Sequence, residues 1–489
     1  MSFLPATPAG RHPPFRDETP MAKDLHTLDA SATAAAIRAG RITSRAATQA
    51  ALARMDAVNP AINAVVHRFD DEALAAADAA DRMVASGVPL GPLHGVPVTS
   101  KIDTDLAGHA TTTGLVAMKD VIVAEDGIPT ANLKRAGAVI IGQTNVPAFC
   151  YRWFASNDLH GITRNPHDLT RSPGGSSGGA GAAVAAGIGT LAQGNDVAGS
   201  LRLPGAVNGV YAMKGTMGLL PTWNPSQSGE ATIGLQIGAS EGVITRSVRD
   251  LRLGMSVLAK PDPRDPDQVP APAVTPAQRQ PCRVALWLGD ADTPVDPEVA
   301  AVVWQAAGWL SEAGYVVEEV APPHLSEMAE LWMTLLYADA SDPVRAVFME
   351  LGDEAFRRSF QFTSDSLPKL DQNAHTEGWV RRMAIRRAWA MFFQTWPLVL
   401  TPTTCVLPLP IDHDTLDLAT MGQIIRGYRP LPLVAGLGVP GLTVPAGKVR
   451  GLPVGVQIIA RWFDDERCLS AAEVMERRIG PLLPVDPVR

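Results

Sequence analysis

The sequence predicts an α/β fold, and three observations lead to this prediction. The 489 residues are 46% hydrophobic and 19% charged, which supplies enough apolar surface for a large buried core. Short apolar runs such as 138–142 are typical of buried strands, and they alternate with Ala-rich helical runs such as 70–85. The segment 283–320 has the pattern strand, helix, strand, which is the repeating unit of α/β proteins. The length allows about three domains or one large α/β unit.

Helical and strand patterns follow one another along the whole chain. Residues 24–58 have a helical pattern with a break at Gly40, and Asn59-Pro60 is a signal for a helix end. The Pro-rich, charged stretch 259–281 predicts a surface loop or a boundary between segments. The remaining predicted elements are strands at 283–288, 315–320, 398–403 and 456–459, helices at 297–313 and 470–478, and a mainly helical, aromatic-rich segment at 322–395.

The stretch 172–218 is dominated by Gly, Ala and Ser. A flexible linker is one interpretation of that composition. A packed helix with close backbone contacts is the interpretation we prefer, because apolar residues interrupt the Ala run as they do in a packed helix. These residues are Val184, Ile188 and Leu191.

Composition and charge exclude several classes of protein. Residues 1–24 contain five prolines and no apolar core, so we predict a flexible tail and neither a signal peptide nor a membrane anchor. No strongly apolar, uncharged run of about 18 residues is present, so no transmembrane helix is predicted. The net charge of −8 argues against a nucleic-acid partner. The four cysteines form no CxxC pair, so neither a zinc site nor a disulfide framework is predicted. Scattered cysteines are typical of a reducing compartment, so we predict a cytoplasmic location.

Three segments carry groups that could perform chemistry. They are the apolar strand 96–101, which ends in Lys101, the Gly-Gly-Ser-Ser-Gly-Gly run at 174–179, and the Asp-Val-Ala-Gly-Ser-Leu-Arg-Leu-Pro run at 196–204. A serine hydroxyl is a weak nucleophile that needs a base, and no histidine lies within the serine-rich stretch. A lysine can serve as that base when burial lowers its pKa, and the backbone N–H groups around a Gly-flanked serine can stabilise an oxyanion.

Together these segments resemble the amidase signature family. The resemblance rests on the 174–179 run, on Asp196-x-x-Gly199-Ser200-x-Arg202-x-Pro204, and on the spacing of Lys101, Ser176 and Ser200. Further matching segments, at 163–166, 171–173, 245–250, 401–404 and 451–457, extend it from about residue 25 to the end. The resemblance implies one amidase domain over 25–489, with a mixed central β-sheet flanked by α-helices on both sides.

The resemblance also implies a Ser–cisSer–Lys triad. Ser200 would be the nucleophile that forms an acyl-enzyme, Ser176 would relay protons, and Lys101 would be the base. The peptide bond between Gly175 and Ser176 would be cis. The backbone N–H groups of the nucleophile loop would form the oxyanion hole, namely those of Val197, Ala198, Gly199 and Ser200. The supporting residues would be Asp196 and Arg202, which hold this loop, and Ser177, which hydrogen-bonds within the triad network. No metal ion or cofactor is implied.

Three positions depart from the family pattern. The family usually has Asp directly after the lysine, where this chain has Ile102 followed by Asp103, and it usually has Gly at the position of Ala198. Its Lys-Pro-Thr segment appears here as Lys-Gly-Thr at 214–216. None of these departures removes a triad member, so activity is expected. Residues 259–430 are expected to shape the substrate pocket. The bulky segment 149–154 is expected to pass near the acyl group of the substrate, and its bulk favours an aryl or otherwise apolar acyl group. The predicted pocket residues in this segment are Cys150, Tyr151 and Phe154.

We therefore expect an enzyme that hydrolyses a carboxamide, anilide or carbamate C–N bond, with esters as side substrates. Within the family, the alternative is the A subunit of a tRNA-dependent amidotransferase, which releases ammonia from glutamine. Outside it, the alternatives are an α/β-hydrolase-type esterase that uses Ser176 in a G-x-S-x-G elbow, and a non-catalytic binding protein. The expected partner is a small amide or carbamate, with no nucleic acid and no membrane. A homodimer is compatible with the sequence.

Overall fold

An eleven-stranded β-sheet runs through the protein. The structure, a computed structural model, describes residues 22–227 and 229–488. The predicted tail, residues 1–24, lies outside the described residues except for its last three, which begin a 3-10 helix at Ala22–Thr27. The strands of the described residues are β1 (Val65–Arg68), β2 (Pro97–Lys101), β3 (Val139–Thr144), β4 (Ser156–Asn157), β5 (Gly161–Ile162), β6 (Leu191–Asp196), β7 (Tyr211–Lys214), β8 (Ser240–Thr245), β9 (Arg283–Leu286), β10 (Val316–Glu319), β11 (Leu398–Pro402), β12 (Gly441–Val449) and β13 (Leu452–Ala460).

Helices connect most of these strands, and several begin at a polar capping residue. Asp29, for example, accepts a hydrogen bond from the N–H of Ala32 at 2.8 Å and so satisfies a free donor in the first turn. The α-helices are α1 (Ala30–Arg38), α2 (Ser44–Ile62), α3 (Asp70–Ser86), α4 (Ile128–Arg135), α5 (Gly178–Ala186), α6 (Arg202–Asn208), α7 (Ile233–Gly238), α8 (Val248–Leu258), α9 (Pro297–Glu312), α10 (Leu325–Ala338), α11 (Asp342–Leu351), α12 (Glu354–Ser366), α13 (Gln372–Thr395), α14 (Leu418–Gly427), α15 (Pro430–Leu437) and α16 (Asp465–Ile479).

The sheet contains both parallel and antiparallel pairs. Its strand order is β1-β3-β2-β6-β8-β7-β12-β13-β11-β9-β10, and β4 pairs with β5 in a separate hairpin. β2 is parallel to both of its neighbours, β3 and β6, and β9 is parallel to β11 and β10. The strands between β6 and β11 pair antiparallel. The predicted mixed sheet is therefore confirmed.

Both faces of the sheet are buried. Val284 and Leu286 of β9 join the largest apolar cluster, whereas Ala285 between them joins a second cluster. Successive side chains of a strand point to opposite faces, so these two clusters lie on opposite sides of the sheet. Residues of α8, α9 and α16 belong to the first cluster, and residues of α10, α13 and α15 belong to the second. This arrangement confirms the predicted α/β fold with helices on both sides.

One predicted helix end is wrong. α2 does not stop at Asn59-Pro60 but continues to Ile62. The carboxamide of Asn59 accepts the N–H of Val65 at 2.9 Å, and Asn63 ends the helix in a left-handed conformation with φ of 48°. The side chain of Asn59 thus stabilises the last turn, and Pro60 is accommodated within it.

The helix predicted across Val184, Ile188 and Leu191 is shorter than expected. α5 ends at Ala186, and Leu191 is the first residue of β6. Gly187 and Gly189 have φ of +81° and +74°, a conformation that stops a right-handed helix. The packed-helix interpretation of this stretch is correct for 178–186 only.

Candidate active site

Loops at one edge of the sheet bring the three predicted triad residues together. Lys101 is the last residue of β2, and Ser200 lies between β6 and α6. Because β2 and β6 are parallel neighbours, their carboxyl ends lie at the same edge of the sheet. Ser176 precedes α5, and the N–H of Ser177 donates to the carbonyl oxygen of Ser200 at 3.1 Å. This bond joins the two serine loops.

Lys101 is fully buried, and its Nζ has three oxygen neighbours. Nζ donates to Ser176 Oγ at 2.8 Å and to Asn195 Oδ1 at 2.6 Å, and it lies 3.1 Å from Asp103 Oδ2. Asp103 Oδ2 also accepts hydrogen bonds from Asn195 Nδ2 at 2.9 Å and from Cys150 Sγ at 3.3 Å. The contact between Lys101 and Ser176 is the one that the resemblance implies.

The neighbours of Lys101 favour its charged form. Burial alone lowers the pKa of a lysine, but the Asp103 carboxylate raises the pKa of Lys101 above its ordinary value. The expectation that burial leaves this lysine with a lowered pKa is therefore wrong. Asp103 was visible in the sequence two residues after the lysine, but the turn that places its carboxylate beside Nζ was not.

The segment before Ser176 is closely packed against another stretch of backbone. The peptide bond between Gly175 and Ser176 is cis, as the resemblance implies. A Cβ on Gly175 would lie 2.6 Å from both the Arg152 carbonyl oxygen and the Phe154 nitrogen, so the position requires glycine. Ser177 Oγ donates to the carbonyl oxygen of Asn195 at 3.4 Å. Ser177 therefore supports the backbone around the triad and makes no bond to Lys101.

Asp196 and Arg202 form a fully buried ion pair under the nucleophile loop. Arg202 Nε and Nη2 donate to the two carboxylate oxygens of Asp196 at 2.9 and 2.8 Å. Asp196 also accepts the N–H groups of Gly199 at 2.7 Å and Leu201 at 3.2 Å. Burial alone raises the pKa of a carboxyl, but Arg202 lowers the pKa of Asp196 below its ordinary value. The ionised carboxylate holds the loop around itself, which is the supporting role predicted for this pair.

Arg202 also ties the loop to distant parts of the chain. Its Nη1 donates to Gln457 Oε1 of β13 at 2.7 Å, and its Nη2 donates to the carbonyl oxygen of Leu431 in α15 at 2.9 Å. The guanidinium thus bridges the nucleophile loop, a late helix and the last strand of the sheet.

The nucleophile loop has backbone N–H groups that are free to bind an anion. Among the residues that the structure describes, no acceptor is found for the N–H groups of Val197, Ala198 and Ser200, and all three residues line one cavity. The N–H of Gly199 is already bonded to Asp196. Three of the four predicted oxyanion donors are therefore available, and the fourth maintains the shape of the loop.

The side chains at 198 and 199 suit this loop for different reasons. Gly199 has φ of +111°, and a Cβ there would lie 2.7 Å from Leu431 Cβ, so glycine is required. Ala198 is not among the residues with positive φ, and its departure from the family pattern costs no backbone strain.

Two tryptophans hold the nucleophile loop from the outside. Trp332 of α10 donates Nε1 to the carbonyl oxygen of Val197 at 2.8 Å, and Trp153 donates Nε1 to that of Ala198 at 2.9 Å. The Val197 carbonyl shares its peptide unit with the N–H of Ala198, and the Ala198 carbonyl shares its unit with the N–H of Gly199, so the two bonds restrain the middle of the loop. Sequence analysis did not find them, because Trp332 lies 135 residues from Val197 and no local signal connects the two.

A cavity of about 640 Å³ is lined by both serines, Ser176 and Ser200. Much of the rest of its lining is polar and comes from 222–241 and 264–267. Its aromatic and apolar lining includes Phe149, Tyr151, Trp153, Met333, Leu336 and Tyr337. The cavity therefore offers an apolar compartment and a polar compartment next to the nucleophile loop.

Two of the three predicted pocket residues, Cys150 and Tyr151, line this cavity. The prediction for Phe154 is wrong, since this residue is 1% exposed and packs in an apolar core cluster with Leu203. Phe149 and Cys150 have φ of 56° and 58°, so the segment turns sharply and its side chains do not share one face. The expected pocket-shaping range 259–430 contributes to the lining, but 217–241 also contributes, and sequence analysis did not assign it.

Glu241 of β8 is a buried carboxyl of the cavity lining that sequence analysis missed. It is 4% exposed, and it accepts hydrogen bonds from Gln193 Nε2 at 2.7 Å and from Thr222 Oγ1 at 3.1 Å. Burial, together with the nearby Asp103, raises the pKa of Glu241 to about 7. Its charge therefore changes near neutral pH.

Three further observations concern metal-binding proteins, membrane proteins and α/β-hydrolases, the classes of protein that sequence analysis considered. Within 22–227 and 229–488, no group of three or more His, Cys, Asp or Glu side chains is arranged to hold a metal ion. In the same part of the chain, none of the helices combines the length and apolar character that crossing a bilayer requires. No histidine is found among the described residues that line the cavity, so the histidine that a G-x-S-x-G elbow needs is absent from this lining.

Comparisons with known proteins agree with the fold and with the site. The family model described as Amidase matches residues 46–469. An indoleacetamide hydrolase of Bradyrhizobium diazoefficiens is 41% identical over 452 residues, which cover 92% of this chain and 86% of that protein. An acylamidase of Rhodococcus erythropolis is 33% identical over 481 residues, which cover 93% and 96%. The crystal structure of a bacterial aryl acylamidase of the amidase signature family has a TM-score of 0.81 at 27% identity, and the match covers 93% and 96%.

The residues matched by the family model span every strand of the sheet and both serine loops. The predicted α/β-hydrolase and amidotransferase alternatives are not favoured by these comparisons. The chain therefore belongs to the amidase signature family and is an amide C–N hydrolase of that family.

Proposed function

We propose that the protein hydrolyses small carboxamides whose acyl group carries an aromatic ring, through an acyl-enzyme on Ser200. Ser200 Oγ attacks the carbonyl carbon while its proton passes to Ser176 Oγ, and the Ser176 proton passes to Lys101 Nζ. The C–N bond then breaks, and the same relay returns a proton to the departing amine. Water attacks the acyl-enzyme with the relay acting as base again, and the acid is released.

One observation carries this proposal. Lys101 Nζ contacts Ser176 Oγ at 2.8 Å, and Ser176 shares its cavity with Ser200. A base must lie within hydrogen-bonding distance of the proton it takes, directly or through one intermediate group. Lys101, Ser176 and Ser200 supply a base, a relay and a nucleophile in that order.

The free N–H groups of the nucleophile loop supply the anion site for the tetrahedral intermediate. Val197, Ala198 and Ser200 carry these donors. The bond from Trp332 fixes the peptide unit that contains the Ala198 N–H, and the bond from Trp153 fixes the next unit, whose Gly199 N–H is bonded to Asp196. Donors that need no rearrangement during the reaction stabilise the developing negative charge most effectively.

The raised pKa of Lys101 determines the pH dependence of the proposed reaction. Only the neutral amine can accept the proton of Ser176, and Asp103 keeps the fraction of neutral amine small at neutral pH. The rate is therefore expected to increase as the pH rises toward the pKa of Lys101.

The cavity supports the proposed substrate class. Its volume of about 640 Å³ lies within the usual range of roughly 300–1,000 Å³ for small-molecule pockets. Tyr151 and Tyr337 meet edge to face in its wall, with ring centroids 5.5 Å apart, and they offer aromatic surface to the acyl group. The names of two relatives, an indoleacetamide hydrolase and an aryl acylamidase, point to amides with an aromatic group.

A substrate screen tests the proposal. Arylacetamides, aliphatic amides, anilides, carbamates and esters are compared at equal concentration, with Ser200→Ala as the blank. We expect arylacetamides to have the highest kcat/KM, and we expect Ser200→Ala to lower the rate by roughly 10⁴-fold or more. Faster hydrolysis of short aliphatic amides would contradict the aromatic acyl group.

Labelling with a fluorophosphonate tests the nucleophile independently of the substrate. The probe is expected to modify Ser200, and the Ser177→Ala variant, which keeps all three triad residues, is expected to be labelled at the same position. Labelling at Ser176 with full activity in Ser200→Ala would contradict the proposed roles. Glutamine hydrolysis that appears only with a partner protein would indicate an amidotransferase subunit instead.

A further inference from the structure

Asp103 is the carboxylate that directly contacts the proposed base. It lies in the turn after β2, where the N–H of Thr104 donates to the carbonyl oxygen of Lys101 at 3.0 Å. This turn directs Asp103 Oδ2 to within 3.1 Å of Nζ, and the carboxylate side chain is 11% exposed. Where the family pattern usually has an aspartate directly after the lysine, this chain has Ile102, and Asp103 follows it.

The partners of Lys101 match the geometry of a charged amine. An ammonium group has three donors and no acceptor. Here Ser176 Oγ, Asn195 Oδ1 and Asp103 Oδ2 provide three oxygen neighbours for Nζ. Asn195 also donates Nδ2 to Asp103 at 2.9 Å, so the two side chains hold each other in place.

We propose that Asp103, supported by Asn195, is a positioning residue that holds the Lys101 amine charged in the resting protein and directs one of its N–H groups at Ser176. The proposal rests on the proposed function, because it concerns the base of that reaction. Asp103 acts through Lys101 and takes no proton itself. Its negative charge sets the pH at which Lys101 becomes a base.

Two other titratable groups face Lys101, and neither contacts its Nζ. Cys150, from the 3-10 helix Ala148–Cys150, donates its thiol to Asp103, and burial raises the pKa of this thiol. Glu241, from β8, is bonded to Gln193 and Thr222. Glu241 favours the charged amine when it is ionised, whereas the thiol of Cys150 is kept neutral by burial and adds no charge. Only Asp103 combines charge with direct contact. Asp103 is therefore the group whose removal should change Lys101 most.

The experiment measures the rate of fluorophosphonate labelling of Ser200 from about pH 6 to about pH 11, a range that contains the rising part of a titration whose midpoint lies at or above the ordinary lysine pKa of about 10.4. It compares the wild-type protein with Asp103→Asn, with Asp103→Glu and with Asp56→Asn, a control at an exposed aspartate that pairs with Arg68. The probe needs no knowledge of the natural substrate.

The expected result is a shift in the pH at which the labelling rate rises. Removing an opposite charge in contact with an amine lowers its pKa by about 1–3 units, so Asp103→Asn should move the rise to lower pH by that amount. Asp103→Glu should restore the wild-type position, and Asp56→Asn should leave it unchanged. A purely structural role for Asp103 would lower the rate at every pH without moving the rise, and that result would overturn the proposal.

Two more variants keep the proposal testable if Asp103→Asn fails to fold. Asn195→Asp places a second carboxylate beside Nζ and should move the rise to higher pH; a shift in the other direction, or none, would overturn the proposal. Glu241→Gln should move the rise to lower pH by less than Asp103→Asn does, and a larger shift would assign the effect to Glu241. Absence of Ser200 labelling in the wild-type protein at every pH would instead contradict the proposed function.

Discussion

The catalytic segment, residues 97–202, and the pocket wall, residues 325–427, are built differently. In the catalytic segment, small residues and buried polar groups are placed by directional bonds, such as the two from Arg202 to Asp196. In the pocket wall, aromatic rings pack against one another, as Tyr337 does on Phe360 with ring centroids 5.1 Å apart. Directional bonds fix the positions of reacting atoms, whereas packing fixes the shape of a cavity. We therefore expect substitutions of the buried, hydrogen-bonded groups of the catalytic segment to lower kcat, and substitutions of the cavity-lining rings of the wall to change selectivity.

The largest effect is expected from Lys101→Ala in the catalytic segment. This change removes the proposed base and should lower kcat at neutral pH by roughly 10⁴–10⁶-fold. Lys134→Ala, at a partly exposed lysine paired with Asp126, is the matched control and should keep the wild-type rate. Steady-state hydrolysis of an arylacetamide measures both, and substantial activity of Lys101→Ala would refute its role.

Trp332→Phe tests whether the two regions are separable, because this residue belongs to the wall but bonds to the nucleophile loop. The change keeps an aromatic ring but removes the N–H bond to Val197, which is worth about 1–1.5 kcal/mol, so kcat should fall by about tenfold. Trp389→Phe is the control, since its buried indole N–H has no partner among the described residues. Equal kcat values for the two variants would show that the indole bond does not hold the loop.

A change of wall shape alone is expected from Tyr337→Leu. The ratio of kcat/KM for an arylacetamide to that for a short aliphatic amide should fall by about tenfold, because aromatic contact surface is lost. Phe154→Leu replaces a core aromatic residue that does not line the cavity. That variant should lower the melting temperature and leave the ratio unchanged; a changed ratio would place Phe154 in the pocket after all.

The smallest expected effect is on the free energy of unfolding at acid pH. This quantity depends on buried titratable groups of the catalytic segment. Burial, with His67 nearby, lowers the pKa of His160 from 6.5 to about 4, so the unfolded state binds a proton that the folded state does not. Stability is therefore lost as the pH falls from about 6.5 to about 4. His160→Gln should remove about 1–2 kcal/mol of this loss, a value reduced for partial exposure to solvent.

Thermal unfolding as a function of pH measures this effect. His413→Gln, in the pocket wall, is the matched substitution. If both variants lose stability in acid as steeply as the wild-type protein, His160 does not contribute to the acid sensitivity.

The sequence was informative where chemistry depends on residue type and local spacing. Lys101, Ser176 and Ser200 were found in this way, and so was the pair of Asp196 and Arg202. Lys101 and Asp196 end the neighbouring strands β2 and β6, Ser200 and Arg202 follow β6 closely, and Ser176 precedes α5, so each group lies in a short motif that can be recognised in the chain.

The remaining features depend on contacts between distant segments or on single backbone angles. Asn195 faces Lys101 because β6 is the neighbour of β2, and Glu241 comes near because β8 is the next strand beyond β6. Trp332 reaches the nucleophile loop from α10, which no local pattern indicates. The error at Phe154 arose because two left-handed residues turn the segment before it. Aromatic bulk predicts that a residue is buried, but not whether it faces a core or a cavity.

The bridge made by Arg202 has a consequence for the newly made chain. Its two outer partners, Leu431 and Gln457, are translated long after Lys101 and both serines. A ribosome-bound chain that stops before residue 431 therefore holds the proposed triad but lacks these two anchors of the nucleophile loop. We expect amide cleavage to begin only after β13, which contains Gln457, has been synthesised.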